Sequence, residues 1–342
     1  MGNSIFLFLL CLVISFEVVP QSDQSGISVM FYNVENLFDV RDDPDKTDDE
    51  FTPSGSRRWS RKRFNQKILN ISKVILNAGQ YEPPAVVALA EIENRYVLEK
   101  LLTGTPLNSF DYKIIHKESP DERGIDVALL YREKLFYPLH YKYIPVISAD
   151  SMVVKTREIL YVSGIAGNSD TIHIFVNHWP SRYSGILESR PLRICAAEIL
   201  REHVEELYEN FINPKIVITG DFNDRSTDRS LSECLRGLTS FDDINSDCLY
   251  NLSASWGKES GTIKYRGEWF VFDQIIVSGT LLSGGDGLHT EPDYAKILNL
   301  PFLLKKDSRY GGVKTNRTYN GFSYEGGFSD HLPVIIKLES AP

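Results

Sequence analysis

The stretch Ala85-Val86-Val87-Ala88-Leu89-Ala90-Glu91-Ile92-Glu93-Asn94 decides the fold. Its six consecutive apolar residues lack the alternation of a strand with one wet face, so they predict a strand buried on both faces. Strands of that kind belong to sheets covered on each side, which places the chain among α/β proteins. The run then stops in two carboxylates and an amide. Polar groups at the end of a doubly buried strand stand where open α/β sheets collect their chemistry.

The rest of the chain repeats this pattern. Segments 27–31, 127–131, 172–176, 216–219, 271–277 and 334–336 read as further strands. Phe64, Ile68, Ile71 and Ile75 recur at helical spacing, with Ser60 as N-cap and Gly79 just past the end. A second, longer helix is expected over 191–208, with Ser189 as its cap and Pro191 in its first turn. Residues 39–50 are rich in Asp without the spacing of a calcium loop, and read as a solvated surface excursion. Since no Pro/Gly/Ser-rich linker interrupts the alternation, one domain over 23–342 is expected.

Composition narrows the class. Of 342 residues, 42% are hydrophobic and 24% charged, a globular balance that excludes a disordered or low-complexity chain. A net charge of −9 argues against a protein that coats polyanions by bulk charge, but leaves room for an enzyme that grips one phosphate locally. Residues 5–16 are apolar or nearly so, too short to span a membrane and suited to the core of a signal peptide. Residues 1–22 are therefore expected to direct export to the periplasm, the outer surface or the medium, although no basic residue precedes the apolar run. Cys195, Cys234 and Cys248 would remain, an odd number without a Cys-x-x-Cys pair, which excludes a disulfide scaffold and a thiolate zinc site. A Cys234–Cys248 bridge and buried free thiols both stay open.

Polar residues gather at the expected strand ends: Asn33-Val34-Glu35-Asn36, Glu91-Ile92-Glu93-Asn94, Asn177-His178-Trp179, Gly220-Asp221-Phe222-Asn223-Asp224, Asp273, and Ser329-Asp330-His331. Any one of them is an ordinary turn residue. Six at comparable positions point to a shared pocket. No Gly-x-x-x-x-Gly-Lys loop, Gly-x-Ser-x-Gly elbow or His-Glu-x-x-His motif is present. What remains is oxygen ligands for a hard cation (Mg²⁺, Mn²⁺ or Ca²⁺), with imidazoles and amides suited to phosphate oxygens.

The ordered series from Phe31-Tyr32-Asn33 through Gly220-Asp221-Phe222-Asn223 to Ser329-Asp330-His331-Leu332-Pro333 resembles the endonuclease/exonuclease/phosphatase superfamily. Arg317-Thr318-Tyr319 and the run 324–328 resemble exported bacterial members. The resemblance implies a DNase-I-like four-layer α/β/β/α sandwich of two mixed sheets. It also implies a metal held by Glu91 with Asn33, Glu35 and Asp330, and a catalytic set of Asp221, Asn223, His178, His331 and Asp273. In that set Asp221 orients the attacking water, Asp273 fixes the tautomer of His331, and either imidazole serves as proton donor. Arg123 and Arg182 are candidate ligands for substrate phosphate, with surface ion pairs as the alternative.

Tyr32 stands in place of the usual Trp, Ala90 in place of the usual Gln, and Arg123-Gly124-Ile125-Asp126 where abasic-site enzymes carry a tyrosine. The expected activity is metal-dependent hydrolysis of a phosphodiester by a nuclease of endonuclease type. A phospholipid or sugar-phosphate esterase is the alternative, and the complete motif set argues against a non-enzymatic binding protein. The cluster Arg57, Arg58, Arg61, Lys62, Arg63 and Lys67 reads either as a grip on a nucleic-acid backbone or as a partner of the acidic loop before it. Residues 297–304 are expected to pack in the core rather than touch a membrane. No obligate protein partner is visible, and a monomer is expected.

Overall fold

The computed structural model describes residues 26–340 apart from 80–81, 149, 168–169, 184, 257–260 and 285–286. The expected export segment and Cys11 lie outside the described residues.

Two mixed sheets of seven strands form the framework. The first runs in the order β14 (Leu288–His289), β20 (Val334–Ser340), β1 (Gly26–Leu37), β2 (Val86–Ile92), β4 (Asp126–Arg132), β3 (Tyr112–His116), with β15 (Ala295–Ile297) also on β20. The second runs β5 (Phe136–Ile144), β6 (Ile159–Ala166), β7 (Asp170–His178), β8 (Lys215–Asp221), β13 (Asp273–Ser278), β10 (Leu249–Asn251), β9 (Gly237–Leu238). The pairs β1–β2, β7–β8 and β9–β10 are parallel and the others antiparallel. Three small hairpins decorate the sheets: β11 (Ile263–Tyr265) with β12 (Glu268–Phe270), β16 (Leu304–Lys306) with β17 (Val313–Thr315), and β18 (Tyr319–Asn320) with β19 (Ser323–Tyr324).

The period of two along each central strand builds the layers. Val29 and Phe31 of β1, Val86, Ala88 and Ala90 of β2, Ile172, Ile174 and Val176 of β7, Val217 of β8, and Ile275 and Val277 of β13 meet in one core between the sheets. The intervening residues face outward. Met30, Tyr32, Val87 and Leu89 pack under α1 (Arg61–Leu76) and α2 (Arg95–Thr103). On the other side Phe175, Ile216, Ile218 and Ile276 pack under α3 (Ile186–Asn210). Both faces of both sheets are thus covered, each large buried side chain contributing about 1.5–3 kcal/mol. The short α4 (Gly279–Leu282) follows β13.

Ser60 caps α1 as its sequence position predicts, its side chain accepting the Arg63 N–H at 3.4 Å. The second helix departs from expectation. It begins at Ile186 and contains Pro191, while Ser189 lies inside and turns its hydroxyl to the Gly185 carbonyl. A proline this near the start removes a single intrahelical bond, so the helix extends through it and buries Ala196, Ala197, Leu200 and Val204. The strand expected over 271–277 begins at Asp273, because the Phe272 and Asp273 N–H groups turn to Thr262 Oγ1, each at 3.1 Å.

The loop 39–50 is docked rather than wholly solvated. Asp48 is buried and its carboxylate accepts the Asp43 N–H, while Lys46 Nζ donates to the Ser119 and Asp121 carbonyls at 2.8 and 2.9 Å. Leu298 and Leu303 are buried, as core packing of 297–304 requires. None of Cys195, Cys234 and Cys248 is in a disulfide, so no bridge joins Cys234 to Cys248.

Candidate active site

Strand parity delivers most of the site. Asn33 follows Phe31 on the inward face of β1, His178 follows Val176 on β7, and Asp221 follows Val217 and Thr219 on β8. Asp273 opens β13 on the face of Ile275 and is paired in register with Asp221. The sandwich interior therefore ends in a polar cap made by its own strands. Gly220 lets two of them close up, since a Cβ there would sit 2.2 Å from the Asn177 carbonyl oxygen on the neighbouring strand.

Glu91 reaches this cap by breaking parity. It follows Val87 and Leu89, whose side chains face the helices, but the register between β2 and β4 slips between Ala90 and Ile92 and Glu91 adopts φ 64°. Bulges of this sort re-aim a side chain, and a left-handed glutamate is costly enough to suggest a functional cause. Glu35, Asn36 and Asn223, beside it in the same cap, also have positive φ (54°, 55° and 52°).

Asn33 ties the cap together. Its Nδ2 donates to Glu91 Oε1 at 3.2 Å and to Asp221 Oδ2 at 3.1 Å. His178 Nε2 lies 3.7 Å from Asp221 Oδ2 and 3.9 Å from Glu91 Oε1, while His331 Nε2 lies 3.8 Å from the same Asp221 oxygen. Asp221 Oδ1 accepts the Asn223 N–H at 3.0 Å, and Asn223 Nδ2 donates to the Trp179 carbonyl at 3.1 Å. His331 Nδ1 bonds Asp273 Oδ2 at 2.7 Å, whereas His178 Nδ1 is buried without a partner.

The two imidazoles are electrostatically opposite. Burial lowers His178, and the positive charges of Arg157, Arg123 and His331 lower it further, so it is neutral. Burial also works against a charge on His331, but Asp273, Asp221 and Asp330 outweigh it and hold the ring well above its ordinary value. Burial pushes the Asp221 carboxyl up to about 7, with His331 opposing.

A second corner is built around Glu35. Both its oxygens are engaged, by Arg317, by the Thr318 N–H at 2.7 Å and by the Tyr319 N–H at 3.5 Å. Arg317 also reaches Asp330 at 2.9 Å, and Lys67 is buried behind, bonded to Thr318 Oγ1 and the Phe328 carbonyl. Burial raises Glu35, while Arg317 draws Asp330 below its usual range against the effect of burial.

Of the candidate phosphate ligands, Arg182 is paired with Asp224 and Asp228 at 2.6 and 2.5 Å and its Nε donates to the Asn223 carbonyl at 2.5 Å. The Arg123 side chain is half exposed and 3.4 Å from Asp121. Of the basic cluster, Arg57 pairs with Glu50, Arg63 donates to the Arg57 and Arg58 carbonyls, and Lys67 is internal.

Sequence reasoning did not place Arg317 or Lys67 in the site, although Arg317 stands in a quoted motif. Arg157 gave no signal at all. It is a buried cation held by Asp121 at 2.8 Å and the Trp179 carbonyl at 2.7 Å, next to His178.

The donor set fits a hard divalent cation. Glu91 accepts two hydrogen bonds, from Asn33 and from the Asn36 N–H at 2.8 Å, and a carboxylate has about four lone-pair positions. Its side chain is 17% exposed, so the remaining positions are reachable. Asp221, Asp273 and His331 also present ligand-type atoms within 4.8 Å of one another. These buried carboxylate and imidazole groups point to metal-dependent catalysis.

Fold and site together define a phosphoesterase of DNase-I-like architecture. The family model described as Endonuclease/Exonuclease/phosphatase family matches residues 28–340, and the chain belongs to that family. Among solved structures, the human Nocturnin catalytic domain with bound sulfate aligns with a TM-score of 0.56 at 13% identity, covering 93% of this chain and 95% of that one. A humanized TDP2 of D. rerio aligns at 0.55 and 14% identity, covering 92% and 100%. A Bacteroides thetaiotaomicron mannosyl-6-phosphatase aligns at 0.56 and 16% identity, covering 91% and 99%. Identities this low establish shared fold and nothing finer. No curated protein matches the chain by sequence.

Proposed function

We propose that the chain is an exported, Mg²⁺-dependent phosphodiester hydrolase acting on nucleic acid. The observation that carries the chemistry is the convergence on Asp221 Oδ2 of Asn33 at 3.1 Å, His178 at 3.7 Å and His331 at 3.8 Å. A divalent ion at Glu91, when bound, neutralises phosphate charge and polarises the P–O bond.

The residues then divide the work. Asn33 and the Asn223 N–H fix both Asp221 oxygens, so the carboxylate is aimed before substrate arrives. Asp221 orients a water molecule and takes its proton as the water oxygen bonds to phosphorus. The bond from phosphorus to the leaving oxygen breaks on the opposite side. His331, whose positive charge is balanced by Asp273, gives its Nε2 proton to that oxygen. Neutral His178 offers a hydrogen bond to a phosphate oxygen. The proton on Asp221 can return to His331 across 3.8 Å and reset the site.

Support for a nucleic-acid substrate is local. Phe272 precedes Asp273 and its carbonyl accepts the Phe222 N–H, so it borders the catalytic residues. Phe270 lies 5.3 Å from it, with the Arg182 guanidinium 4.8 Å from the Phe272 ring and Arg225 4.6 Å from Phe270. Paired rings and guanidinium planes of this kind stack nucleobases.

One observation favours a second reading, a small sugar phosphate. Arg57, Arg63 and Lys67 are committed to internal contacts, leaving little of the basic cluster to follow a polynucleotide. The mannosyl-6-phosphatase relative has the same fold.

Purified full chain with Mg²⁺, offered single-stranded and duplex DNA, RNA, sphingomyelin and hexose 6-phosphates, separates these readings. Cleavage of a polynucleotide lost in Asp221→Asn supports the proposal, and turnover of hexose phosphate alone contradicts it. Recovery of a processed chain outside the cytoplasm would bear on export.

A further inference from the structure

Two residues that the resemblance assigns to the metal, Glu35 and Asp330, are joined by a guanidinium. Arg317 Nε and Nη2 each lie 3.2 Å from Glu35 Oε1, and Nη2 is 2.9 Å from Asp330 Oδ2. The Thr318 N–H donates to Glu35 Oε2 at 2.7 Å and the Tyr319 N–H to Oε1 at 3.5 Å. Three of these four donors crowd Oε1 and one takes Oε2, so at most one of the roughly four lone-pair positions of Glu35 stays open to a cation.

Charge tells the same story. Lys67 is buried against Thr318 and Phe328 within the electrostatic reach of both acids, so two carboxylates face two cations. The corner is balanced from within, and bringing a divalent ion there would force three or four positive charges together. At Glu91, by comparison, the two donors are an amide and a backbone N–H, both neutral. Among the described residues no Lys or Arg side chain pairs with it, and the His178 imidazole stands off at 3.9 Å. Lys67 and Arg157 lie within electrostatic reach of Glu91 but neither is bonded to it, so its open positions face no guanidinium or ammonium as those of Glu35 do.

We infer that Arg317 is a built-in cation standing in for a second metal ion, so that this protein carries one divalent site, centred on Glu91. Glu35 anchors the segment that carries Arg317 and is not a ligand. The inference rests on the metal-dependent reading above and specifies its stoichiometry.

The test counts Mn²⁺ bound to the full chain by the electron paramagnetic resonance signal of the free ion. Wild type, E91Q, E35Q and R317M are compared. One Mn²⁺ is expected in the wild type, lost in E91Q, and retained in E35Q with its dissociation constant changed less than about threefold. R317M removes the guanidinium from both carboxylates and should gain a second Mn²⁺. Where R317M fails to fold, the wild type and E35Q decide. Weakening in E35Q by more than about tenfold, the penalty typical of a disturbed ligand shell, would overturn the inference. So would two ions in the wild type, or Mn²⁺ kept by E91Q. A wild type that binds no Mn²⁺ would overturn the metal-dependent reading itself, which distinguishes the two failures.

Discussion

Replacing Asp273 by Asn removes one charge and almost no volume, and it acts on the reaction only through His331. Asp273 Oδ2 lies 2.7 Å from His331 Nδ1, with both side chains buried. Its backbone is held separately, by the N–H bond to Thr262 Oγ1 at 3.1 Å and by pairing with Asp221, so the amide should occupy the same place. A hydrogen bond to a charged group is worth about 1.5–3 kcal/mol. If that support is present in the transition state, its loss lowers kcat by about 10- to 150-fold. KM should move little, since Asp273 touches no substrate. The pH profile adds a second readout. Burial works against the imidazolium and the Asp273 carboxylate is the first charge that sustains it, so the variant should lose the proton at lower pH. The alkaline limb of kcat/KM therefore shifts toward acid. Hydrolysis of bis(p-nitrophenyl) phosphate with Mg²⁺ across a pH series measures both, with thermal unfolding as control. A variant with wild-type kcat and an unmoved alkaline limb would refute His331 as the proton donor supported by Asp273.

Other consequences are equally direct. Chelation of divalent ions should abolish hydrolysis by on the order of 100-fold or more, with Mg²⁺ or Mn²⁺ restoring it; full activity in excess chelator would contradict the site. His173, held neutral by burial with a value lowered to about 4 from 6.5, gives a stability effect with a definite sign. The unfolded chain takes the proton first, so this contribution is complete above about pH 6.5 and is lost as pH falls toward 4, amounting to about 3 kcal/mol at most. His173→Gln should flatten the acid limb of denaturant stability, and an equally steep limb would count against it. Arg57 pairs with Glu50 at 3.0 Å and lies 5.1–5.4 Å from the rings of Phe51, Tyr319 and Phe322. Arg57→Ala should therefore cost about 1–2 kcal/mol of stability and leave kcat unchanged. Weaker polynucleotide binding at unaltered stability would instead make it a substrate contact.

The sequence showed the layers because they are written in single-strand patterns. The apolar run before Glu91 demands cover on both faces, and the strand-end motifs announce where the sandwich opens. The inward direction of Asn33, His178, Asp221 and Asp273 follows from counting by twos along their own strands. Glu91 defies that count, because its direction depends on a bulge and a left-handed backbone that no local pattern signals. Arg317 and Arg157 were hidden for another reason. Each acts through partners far away in sequence, Glu35 for one and Asp121 with Trp179 for the other, and an isolated arginine looks like any solvated charge. Pro191 misled because its preference for a first turn is statistical, and the helix had enough apolar surface to begin earlier.

The central claim is that Asp221, held by Asn33 and Asn223 between two imidazoles, activates the water that cleaves a phosphoester. It is tested most directly by kcat/KM of Asp221→Asn against the wild type, on one phosphodiester at saturating Mg²⁺. The account predicts a loss on the order of 1,000-fold in a variant that still binds one Mn²⁺ and unfolds at or above the wild-type temperature. Hydrolysis by Asp221→Asn at the wild-type rate would contradict it.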